Sequence, residues 1–407
     1  MHRINPQFIH LLCNAILFYF MSMKLAFVSR PNALDIKAYS GIPYNIAQSL
    51  QSVGCDIHYI TPLEEQATFG IKAKHYVYRK YIKQSFLRDR EPPIIRQYWN
   101  QVRTKLLEIK PDIILSIDSL PFASVNTEIN APLVIWGEAT FNNCYNFYPW
   151  YKNLCKESYI KAEKADRLAY EKASLLIFPS EWAVNNAINH YGVDASKVKA
   201  IPYGANLLSN PNFDSFDSII SARLETPLKF LYMGTDWSRK GGNKVVEVVR
   251  TLNRQGYPAE LHILGARWID PKILPFEPFI INHGFVDKST VEGKELFERI
   301  FQQSTFFIML SVAETFGIVY CEASAYGVPS IAHDVGGVSS AVINNQNGKL
   351  FPLHASVEEI TNWIIKITSN PEQYTELVHS SYQLFARSLN WQTGAQQVKK
   401  YMENLIK

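Results

Sequence analysis

The sequence predicts an α/β protein with two Rossmann-like domains that face each other across a cleft. Three observations support this fold class. Strand-like apolar runs alternate with helical stretches along the chain, which is typical of parallel sheets covered by crossover helices. At 407 residues the chain exceeds the size that one hydrophobic core usually serves. A loop-rich stretch between Tyr203 and Pro227 interrupts the alternation, which then restarts.

Both halves contain the same kinds of elements. In the first half the predicted strands are Lys24–Ser29, Asp56–Thr61, Asp112–Ile117, Leu133–Trp136 and Leu175–Pro179, and the predicted helices are Pro43–Val53, Ile94–Ile109, Glu157–Ala173 and Glu181–Tyr191. In the second half the strands are Lys229–Met233, Glu260–Leu264, Phe279–Ile281, Thr305–Leu310, Ser330–His333 and Gly348–Phe351, and the helices are Gly242–Gln255, Gly293–Gln303, Val319–Tyr326, Val357–Thr368 and Pro371–Leu389. We therefore expect an N-terminal domain over residues 23–205, a linker over 206–227, a C-terminal domain over 228–388, and a final helix over 389–407 that crosses back to the N-terminal domain.

Residues 1–22 are interpreted as a non-native start or a short N-terminal extension. The run from Phe8 to Met21 has no acidic or basic residue except His10, but it is short for a membrane span. The strand-like segment from Lys24 follows without a linker or a small-residue cleavage site, and Met21 and Met23 are alternative starts. An N-terminal anchor is the second interpretation.

Composition narrows the classes of protein. Apolar residues make up 47% and charged residues 19%, which is ordinary for a globular chain and does not indicate disorder. The five cysteines are scattered and have no C-x-x-C spacing. The sequence therefore predicts neither a disulfide framework nor a zinc site, and a reducing compartment fits best.

A basic stretch over residues 71–105 carries ten Lys or Arg against two acidic residues, interleaved with six aromatic residues. This combination suits an anionic membrane surface or a phosphorylated acceptor. A solvated mixed face is the alternative, and a basic patch alone also fits nucleic acid. We expect a cytoplasmic protein with peripheral contact at the inner face of a membrane, and no nucleic-acid partner.

The first chemically informative segment is Met233-Gly-Thr-Asp-Trp-Ser-Arg-Lys-Gly-Gly242, between a predicted strand and a predicted helix. Glycines such as Gly234 permit close backbone approach, and the following helix offers free N–H groups at its positive end. Arg239 and Lys240 add full positive charge. The segment predicts a cradle for a pyrophosphate; a plain strand-to-helix turn is the alternative.

The second segment, Ser311-Val-Ala-Glu-Thr-Phe-Gly-Ile-Val-Tyr-Cys-Glu322, also follows a strand and opens a helix. Glu314 is expected to project into the cleft, where a carboxylate can accept hydrogen bonds from sugar hydroxyls. The N–H groups of Phe316, Gly317 and Ile318 would meet phosphate. An E-x7-E spacing alone is a weak signal, and two solvated carboxylates are the alternative.

Glu314–Glu322, followed by Ala323-Ser-Ala-Tyr-Gly-Val-Pro329, resembles the E-x7-E signature and its A-x-G-x-P continuation in family 4 of the GT-B glycosyltransferases. Further segments similar to that family occur in the right order: Ser180-Glu-Trp182, Tyr191–Asn206, Gly284-Phe-Val286 and the helix that begins near Trp391. The resemblance covers roughly residues 23–407, and its specificity lies mostly beyond residue 176.

The resemblance implies no cofactor and a donor substrate that is a nucleoside diphosphate sugar of UDP or GDP type. A glycan, lipid-linked or small-molecule acceptor would receive a hexose from it. The resemblance also implies that Glu322 binds the ribose, that Glu314 contacts the transferred sugar, and that Arg239 and Lys240 neutralise the departing diphosphate. The remaining implied donor contacts are Gly41, Gly234, Thr315, Phe316 and Gly317, with Gly284, Phe285 and Val286 beside the base.

The chain departs from the family pattern at two points. Thr235 stands where many members have an arginine, and Arg239 is the expected substitute. Trp136-Gly-Glu138 stands where many members have a histidine near the reacting sugar, so we expect Glu138 to take over that polar contact. An aromatic cluster at residues 145–151 is a candidate acceptor surface, although such clusters more often serve packing.

The resemblance implies retention at the anomeric carbon, with two cations and a helix N-terminus in place of a metal ion. The sequence has no D-x-D pair of the metal-dependent kind, so no metal site is predicted. Cell-envelope or polysaccharide synthesis is the expected setting. The alternatives are an epimerase or phosphorylase on the same frame, an inactive sugar or nucleotide binder, and a nicotinamide-dependent oxidoreductase. The oxidoreductase is disfavoured because no G-x-G-x-x-G follows a strand.

Overall fold

A computed structural model describes residues 22–125, 128–207, 211, 216–266, 269 and 277–407. The predicted N-terminal extension, except for Ser22, lies outside the described residues, as do residues 208–210 and 212–215 of the predicted linker.

The described elements comprise twelve strands and thirteen α-helices, numbered here in chain order. The strands are β1 Lys24–Val28, β2 Asp56–Ile60, β3 Ile113–Ser116, β4 Leu133–Trp136, β5 Leu175–Phe178, β6 Val198–Ala200, β7 Leu228–Met233, β8 Ala259–Leu264, β9 Ile280–Asn282, β10 Phe306–Met309, β11 Ser330–His333 and β12 Gly348–Phe351. The helices are α1 Ile42–Ser52, α2 Phe69–Val77, α3 Pro92–Ile109, α4 Phe141–Cys144, α5 Lys156–Lys172, α6 Glu181–Asn189, α7 Phe216–Arg223, α8 Gly242–Arg254, α9 Val291–Gln303, α10 Ile318–Ala325, α11 Val357–Thr368, α12 Pro371–Arg387 and α13 Trp391–Leu405.

The strands form two parallel six-stranded sheets, which confirms the predicted α/β fold class. The N-terminal sheet has the order β2-β1-β3-β4-β5-β6, and the C-terminal sheet has the order β12-β11-β10-β7-β8-β9. Strands such as β3, β4, β5 and β10 are buried along their whole length, as expected for parallel strands covered by helices on both faces. In each sheet the strand order reverses once, at β1/β3 and at β7/β10.

The segment predicted as a loop-rich linker contains helix α7, so that prediction is wrong for residues 216–223. The helix ends at Arg223, which is only 2% exposed and donates hydrogen bonds to the carbonyls of Phe301, Gln302, Tyr326 and Gly327. These carbonyls lie at the C-terminal ends of α9 and α10, where a cation stabilises unpaired carbonyl groups. Residue 223 therefore belongs structurally to the C-terminal domain.

The last helix, α13, packs against α1 of the N-terminal domain. Lys399 donates from Nζ to the Val53 carbonyl at 2.7 Å, and Trp391 packs edge-on against Trp136 at a ring-centroid distance of 6.4 Å. Tyr203 lies between Trp391 and Phe316, so buried aromatic rings connect the core of one domain to that of the other. The two sheets therefore hold their carboxyl ends towards one shared cleft.

Candidate active site

The cleft between the two sheets contains a cavity of about 670 Å³ lined by residues of both domains. Ligands bind open α/β sheets outside the carboxyl ends of the strands, at the point where the strand order reverses. In the C-terminal sheet this point lies between β7 and β10. The loops that leave those two strands carry the two sequence segments predicted to bind phosphate and sugar.

The loop after β7 is fixed against the loop after β10. Gly241 has a φ of +71°, and a Cβ atom there would lie 1.9 Å from the Leu310 carbonyl oxygen, so a side chain cannot be accommodated without movement. The Val312 N–H donates to the Arg239 carbonyl at 2.8 Å. The two loops therefore form one wall of the cavity, with Arg239 and Lys240 on it.

Arg239 is held between two carboxylates. Its Nε lies 3.2 Å from Asp236 Oδ2, and its Nη1 lies 3.2 Å from Glu314 Oε2 and 2.7 Å from the Ala313 carbonyl oxygen. Burial has the largest single effect and lowers the pKa of Arg239, but the combined effects of Glu314, Tyr148 and Asp236 outweigh it, so the pKa is raised. Arg239 is therefore a permanent and well-oriented cation.

Lys240 is the second cation of this wall. Its side chain lies along Gly234, where a Cβ atom would come within 2.3 Å of Lys240 Cδ. Among the residues that the structure describes, none forms a hydrogen bond or ion pair with the Lys240 ammonium group. Burial lowers the pKa of Lys240, partly offset by the Glu314 carboxylate. An ammonium group without a partner in a cavity is suited to receive an anionic ligand.

Helix α10 points its N-terminus at the same cavity. Gly317 has a φ of +91° and is the residue from which the helix begins, and Gly317, Ile318 and Val319 all line the cavity. Unpaired N–H groups of a first helical turn attract anions. Glu322 follows one turn later, is 3% exposed, and accepts a hydrogen bond from Lys288 Nζ at 2.9 Å. Groups suited to bind a phosphate and a hydroxyl are thus adjacent.

The opposite wall comes from the N-terminal domain. Tyr39, Ser40 and Gly41 all have positive φ angles, of 49°, 56° and 76°, in the turn that precedes α1. This turn directs the Tyr39 hydroxyl to Glu138 Oε2, at 2.8 Å, and Thr315 of the C-terminal domain donates to Glu138 Oε1. Burial raises the pKa of Glu138, although both hydrogen bonds oppose that shift. Glu138 is thus a carboxyl group with increased affinity for a proton.

Tyr148 extends this wall as part of an aromatic stack. Its hydroxyl accepts a hydrogen bond from the Thr315 N–H at 3.0 Å, and its ring lies 5.5 Å from the Arg239 guanidinium. Trp150 stacks on Tyr148 with a centroid distance of 4.5 Å and an interplanar angle of 13°, and its side chain is 54% exposed. The aromatic cluster predicted from residues 145–151 therefore reaches the cavity, and an indole face remains open to solvent.

The structure brings most of the predicted site residues together. Those that line the cavity are Glu138, Gly234, Arg239, Lys240, Glu314, Thr315, Phe316, Gly317 and Glu322. Gly41 is flanked by the lining residues Ser40 and Ile42. Gly284, Phe285 and Val286 are not among the lining residues; they follow β9, and the Gly284 carbonyl accepts a hydrogen bond from the Gly265 N–H at 2.7 Å. Their predicted contact with a nucleotide base stays a prediction.

Sequence reasoning missed three residues of the site: Tyr39, Lys288 and, as an interdomain hydrogen-bond partner, Tyr148. Lys288 joins Glu322 to the Asn206 carbonyl, each at 2.9 Å, and lies in the turn before α9. No motif marks this lysine. Its neighbour Asp287 pairs with Lys37 of the N-terminal domain at 2.9 Å, so the turn ties both domains together.

None of the histidines in the described part of the chain lines this cavity. His333 Nε2 lies 3.0 Å from Lys244 Nζ and its Nδ1 lies 3.1 Å from the Ser311 carbonyl oxygen; burial lowers its pKa to about 4. His283 stacks on His262. Across the described ranges of the chain, no group of three or more His, Cys, Asp or Glu residues is placed to hold a metal ion.

The basic stretch of residues 71–105 forms a mixed surface on the N-terminal domain. Large apolar side chains such as Tyr76, Val77, Tyr81 and Ile82 are 43–68% exposed beside cations such as Lys80. Of the helices in the described part of the chain, none has the length and hydropathy of a membrane-spanning segment.

Comparison with known proteins identifies relatives of both halves. Residues 43–207 match the family model described as Glycosyltransferase Family 4, and residues 215–384 match the one described as Glycosyl transferases group 1. A D-inositol 3-phosphate glycosyltransferase of Paenarthrobacter aurescens is 26% identical over 201 residues, which cover 48% of this chain and 49% of that protein. The chain thus spans about half the length of the curated relatives it matches.

Solved structures share the fold across both domains. Sucrose-phosphate synthase from Thermosynechococcus elongatus superimposes with a TM-score of 0.66 at 17% identity, covering 94% of this chain and 99% of the other. The Anabaena protein HepE in complex with UDP-glucose gives a TM-score of 0.61 at 16% identity, covering 94% of this chain and 100% of the other. The predicted GT-B architecture is confirmed by this similarity.

Proposed function

Because this chain belongs to the group 1 glycosyltransferases of the GT-B fold, we propose that it transfers a hexose from a nucleoside diphosphate sugar to an acceptor hydroxyl, with retention at the anomeric carbon. The observation that carries the proposal is the shared cavity in which Arg239, Lys240 and the N-terminus of α10 meet the carboxylates of Glu314 and Glu322. A diphosphate and the hydroxyl groups of a sugar need such partners side by side.

The proposed donor is of UDP or GDP type. Its diphosphate lies against Lys240, Arg239 and the first turn of α10, and its ribose hydroxyls bind Glu322. Supporting this assignment, HepE, which has the same fold, has been solved with UDP-glucose. The base contact at Gly284–Val286 remains part of the proposal.

Transfer breaks the bond between the anomeric carbon and the diphosphate oxygen while the acceptor oxygen forms a new bond on the same face. The two cations and the helix N-terminus stabilise the negative charge that develops on the diphosphate, a role that requires no metal ion here. The acceptor proton passes to the departing diphosphate oxygen. Glu314 and Glu138 hold the sugar, and closure of the two domains excludes water from it.

The proposed acceptor is a glycan, a lipid-linked sugar or a small molecule that enters along the Tyr148–Trp150 surface, since an exposed indole face can pack against a sugar ring. We place the enzyme in the cytoplasm, in cell-envelope or polysaccharide synthesis, with peripheral contact between residues 71–105 and an anionic membrane. Exposed aromatic and cationic side chains support that contact.

A donor panel tests the proposal. The chain is heated with UDP, GDP, ADP, their sugar conjugates and NAD, and stabilisation by one nucleoside diphosphate is expected, worth about 2.7 kcal/mol at 100 times its dissociation constant. NMR of the product then gives the anomeric configuration. Stabilisation by NAD alone, or by none of the panel, contradicts a donor site; free UDP-sugar epimerised without any acceptor would indicate an epimerase instead.

A further inference from the structure

A second concave surface lies on the N-terminal domain, between helices α3 and α5. The groove encloses about 420 Å³, and the loop at residues 123–125 closes one side. On α3 the lining residues Arg96, Trp99, Asn100 and Arg103 recur at helical spacing, and on α5 Lys161, Lys164, Ala165 and Leu168 do the same. One continuous face of each helix therefore borders the groove.

All ionisable residues that line this groove are cations: Arg90, Arg96, Arg103, Lys161 and Lys164. Lys161 is neutralised by Glu91, at 2.6 Å, and by Glu157. Arg96, Arg103 and Lys164 are exposed, and within the described ranges no carboxylate pairs with them. The groove therefore keeps an excess of positive charge.

Arg90 supplies an inner cation with unused donors. Its side chain is only 11% exposed, and its Nε is buried without a hydrogen-bond acceptor in the described part of the chain. The nearest carboxylate oxygen, on Asp89, lies 3.7 Å from Nη1 and already accepts a hydrogen bond from Arg30 at 3.1 Å. Arg90 lines the groove, so the accessible part of its guanidinium can meet an oxyanion there, and charge-assisted hydrogen bonds of this kind are strong.

Most of the other lining residues are apolar, Asn100 and Ser124 excepted, and an apolar strip continues along α3 beyond the groove. Ile95 and Trp99 are buried beneath it. A neighbouring cavity of about 390 Å³ shares Trp99 and Arg103 and extends along α3 to Leu106 and Leu107, the latter 61% exposed. Its far side is polar and is lined by Lys110, Glu128 and Asn130. The cations of the groove and the apolar strip formed along α3 by Trp99, Leu106 and Leu107 match a ligand with an anionic head and a hydrocarbon chain.

We propose that this groove binds the phosphate headgroup of an anionic membrane lipid. The phosphate contacts Arg90, Arg96, Arg103 and Lys164, and the first part of an acyl chain lies along Trp99 and Leu107. The inference refines the membrane contact proposed above and is independent of the donor chemistry. The exposed aromatic surface of α2 is adjacent, because Lys74 of α2 and Lys161 of the groove both pair with Glu157.

The first test measures how much of the full chain binds to two kinds of vesicle. One is pure phosphatidylcholine, and the other contains about one phosphatidylglycerol in three lipids. The triple variant Arg96→Ala, Arg103→Ala, Lys164→Ala should reduce partition onto the anionic vesicles roughly 100-fold, because each cation near such a surface contributes about 1 kcal/mol. The matched control removes two arginines and one lysine from the C-terminal domain: Arg254→Ala, Arg299→Ala and Lys366→Ala. Equal losses in both variants, or no binding by the parent protein, overturn the proposal.

The second test separates a lipid from free phosphate. Calorimetry with dihexanoyl phosphatidylglycerol, kept below its micellar concentration, should show binding that Leu107→Gln weakens roughly five- to tenfold through lost apolar contact. Binding of inorganic phosphate should be much weaker and unaffected by Leu107→Gln. If inorganic phosphate bound as tightly as the lipid, the groove would be a site for a free anion and the lipid proposal would be wrong. Stabilisation by the donor nucleotide should persist in all these variants, so failure here is distinguishable from failure of the proposed transferase function.

Discussion

Replacement of Lys240 tests how the cleft would stabilise a departing diphosphate. Lys240→Met keeps the length of the side chain and its packing along Gly234, and removes only the charge. Arg239 is already shared between Asp236 and Glu314, whereas no described residue forms an ion pair with Lys240. Removing one preorganised electrostatic donor typically costs about 2.7–4 kcal/mol of barrier, so kcat should fall roughly 100- to 1,000-fold.

The assay is release of nucleoside diphosphate, with kcat and the donor KM determined separately. KM should change much less than kcat, because the charge on the diphosphate grows as the bond breaks. Lys294→Met removes a lysine charge from α9, outside the cavity, and should leave both constants unchanged. A decrease in kcat of less than threefold for Lys240→Met would refute the assignment of leaving-group stabilisation to this lysine.

The same residue predicts a pH effect. Because burial lowers the pKa of Lys240, its charge is lost at a lower pH than that of an exposed lysine. The value of kcat/KM should therefore decline on the alkaline side as pH rises through this lowered pKa. Lys240→Arg should shift the decline to higher pH, since a guanidinium stays charged; an unchanged profile would assign the decline to another group.

Three further changes probe neighbouring contacts. Glu322→Ala should weaken binding of the donor nucleotide roughly 10- to 100-fold in calorimetry with a smaller effect on kcat, since hydrogen bonds to a charged group are worth about 1.5–3 kcal/mol; unchanged affinity would remove Glu322 from the donor site. Tyr148→Phe leaves the buried Thr315 N–H without its acceptor and should lower the free energy of unfolding in urea by about 1–3 kcal/mol, and an unaltered midpoint would contradict that contact. The pKa of His333 falls from 6.5 in the unfolded chain to about 4 on folding, so the folded protein binds the proton less readily, and stability is complete above pH 6.5 and lost towards pH 4. His333→Gln should remove about 2 kcal/mol of the stability difference between pH 7 and pH 5, and an identical difference in the variant would refute this origin.

Elements specified by their own local sequence were predicted more accurately than elements fixed by contacts with distant parts of the chain. Strands such as Leu133–Trp136 and Ser330–His333 have the predicted bounds, because short apolar runs between turn residues specify buried parallel strands. Helix α7 was missed because what fixes it is not local: Arg223 bonds to carbonyls 78–104 residues further along the chain. A linker and a docked polar helix have similar compositions.

The site residues also divide into those marked by local sequence and those placed by contacts between distant elements. Arg239, Lys240 and Glu314 could be placed at the cavity because each lies in a loop between a strand and a helix, which points to the cleft. The placement of Glu322 came from the family resemblance. Lys288 belongs to no such segment, and its contact with Glu322 arises only when the turn before α9 meets α10. Residues whose roles depend on packing between separate elements leave no trace in a single sequence.

The balance of charge in the cleft has a thermodynamic consequence for ligand uptake. Three cations, Arg239, Lys240 and Lys288, share the cavity with three carboxyl groups, those of Glu138, Glu314 and Glu322, so a diphosphate adds negative charge to surroundings that are already nearly neutral. The added charge favours the protonated forms of Lys240 and Glu138, whose pKa values lie below and above their usual ranges. Donor association should therefore consume protons from solution, and its calorimetric enthalpy should change with the ionisation enthalpy of the buffer. Binding of the nucleotide should therefore be coupled to proton uptake by Lys240 and Glu138.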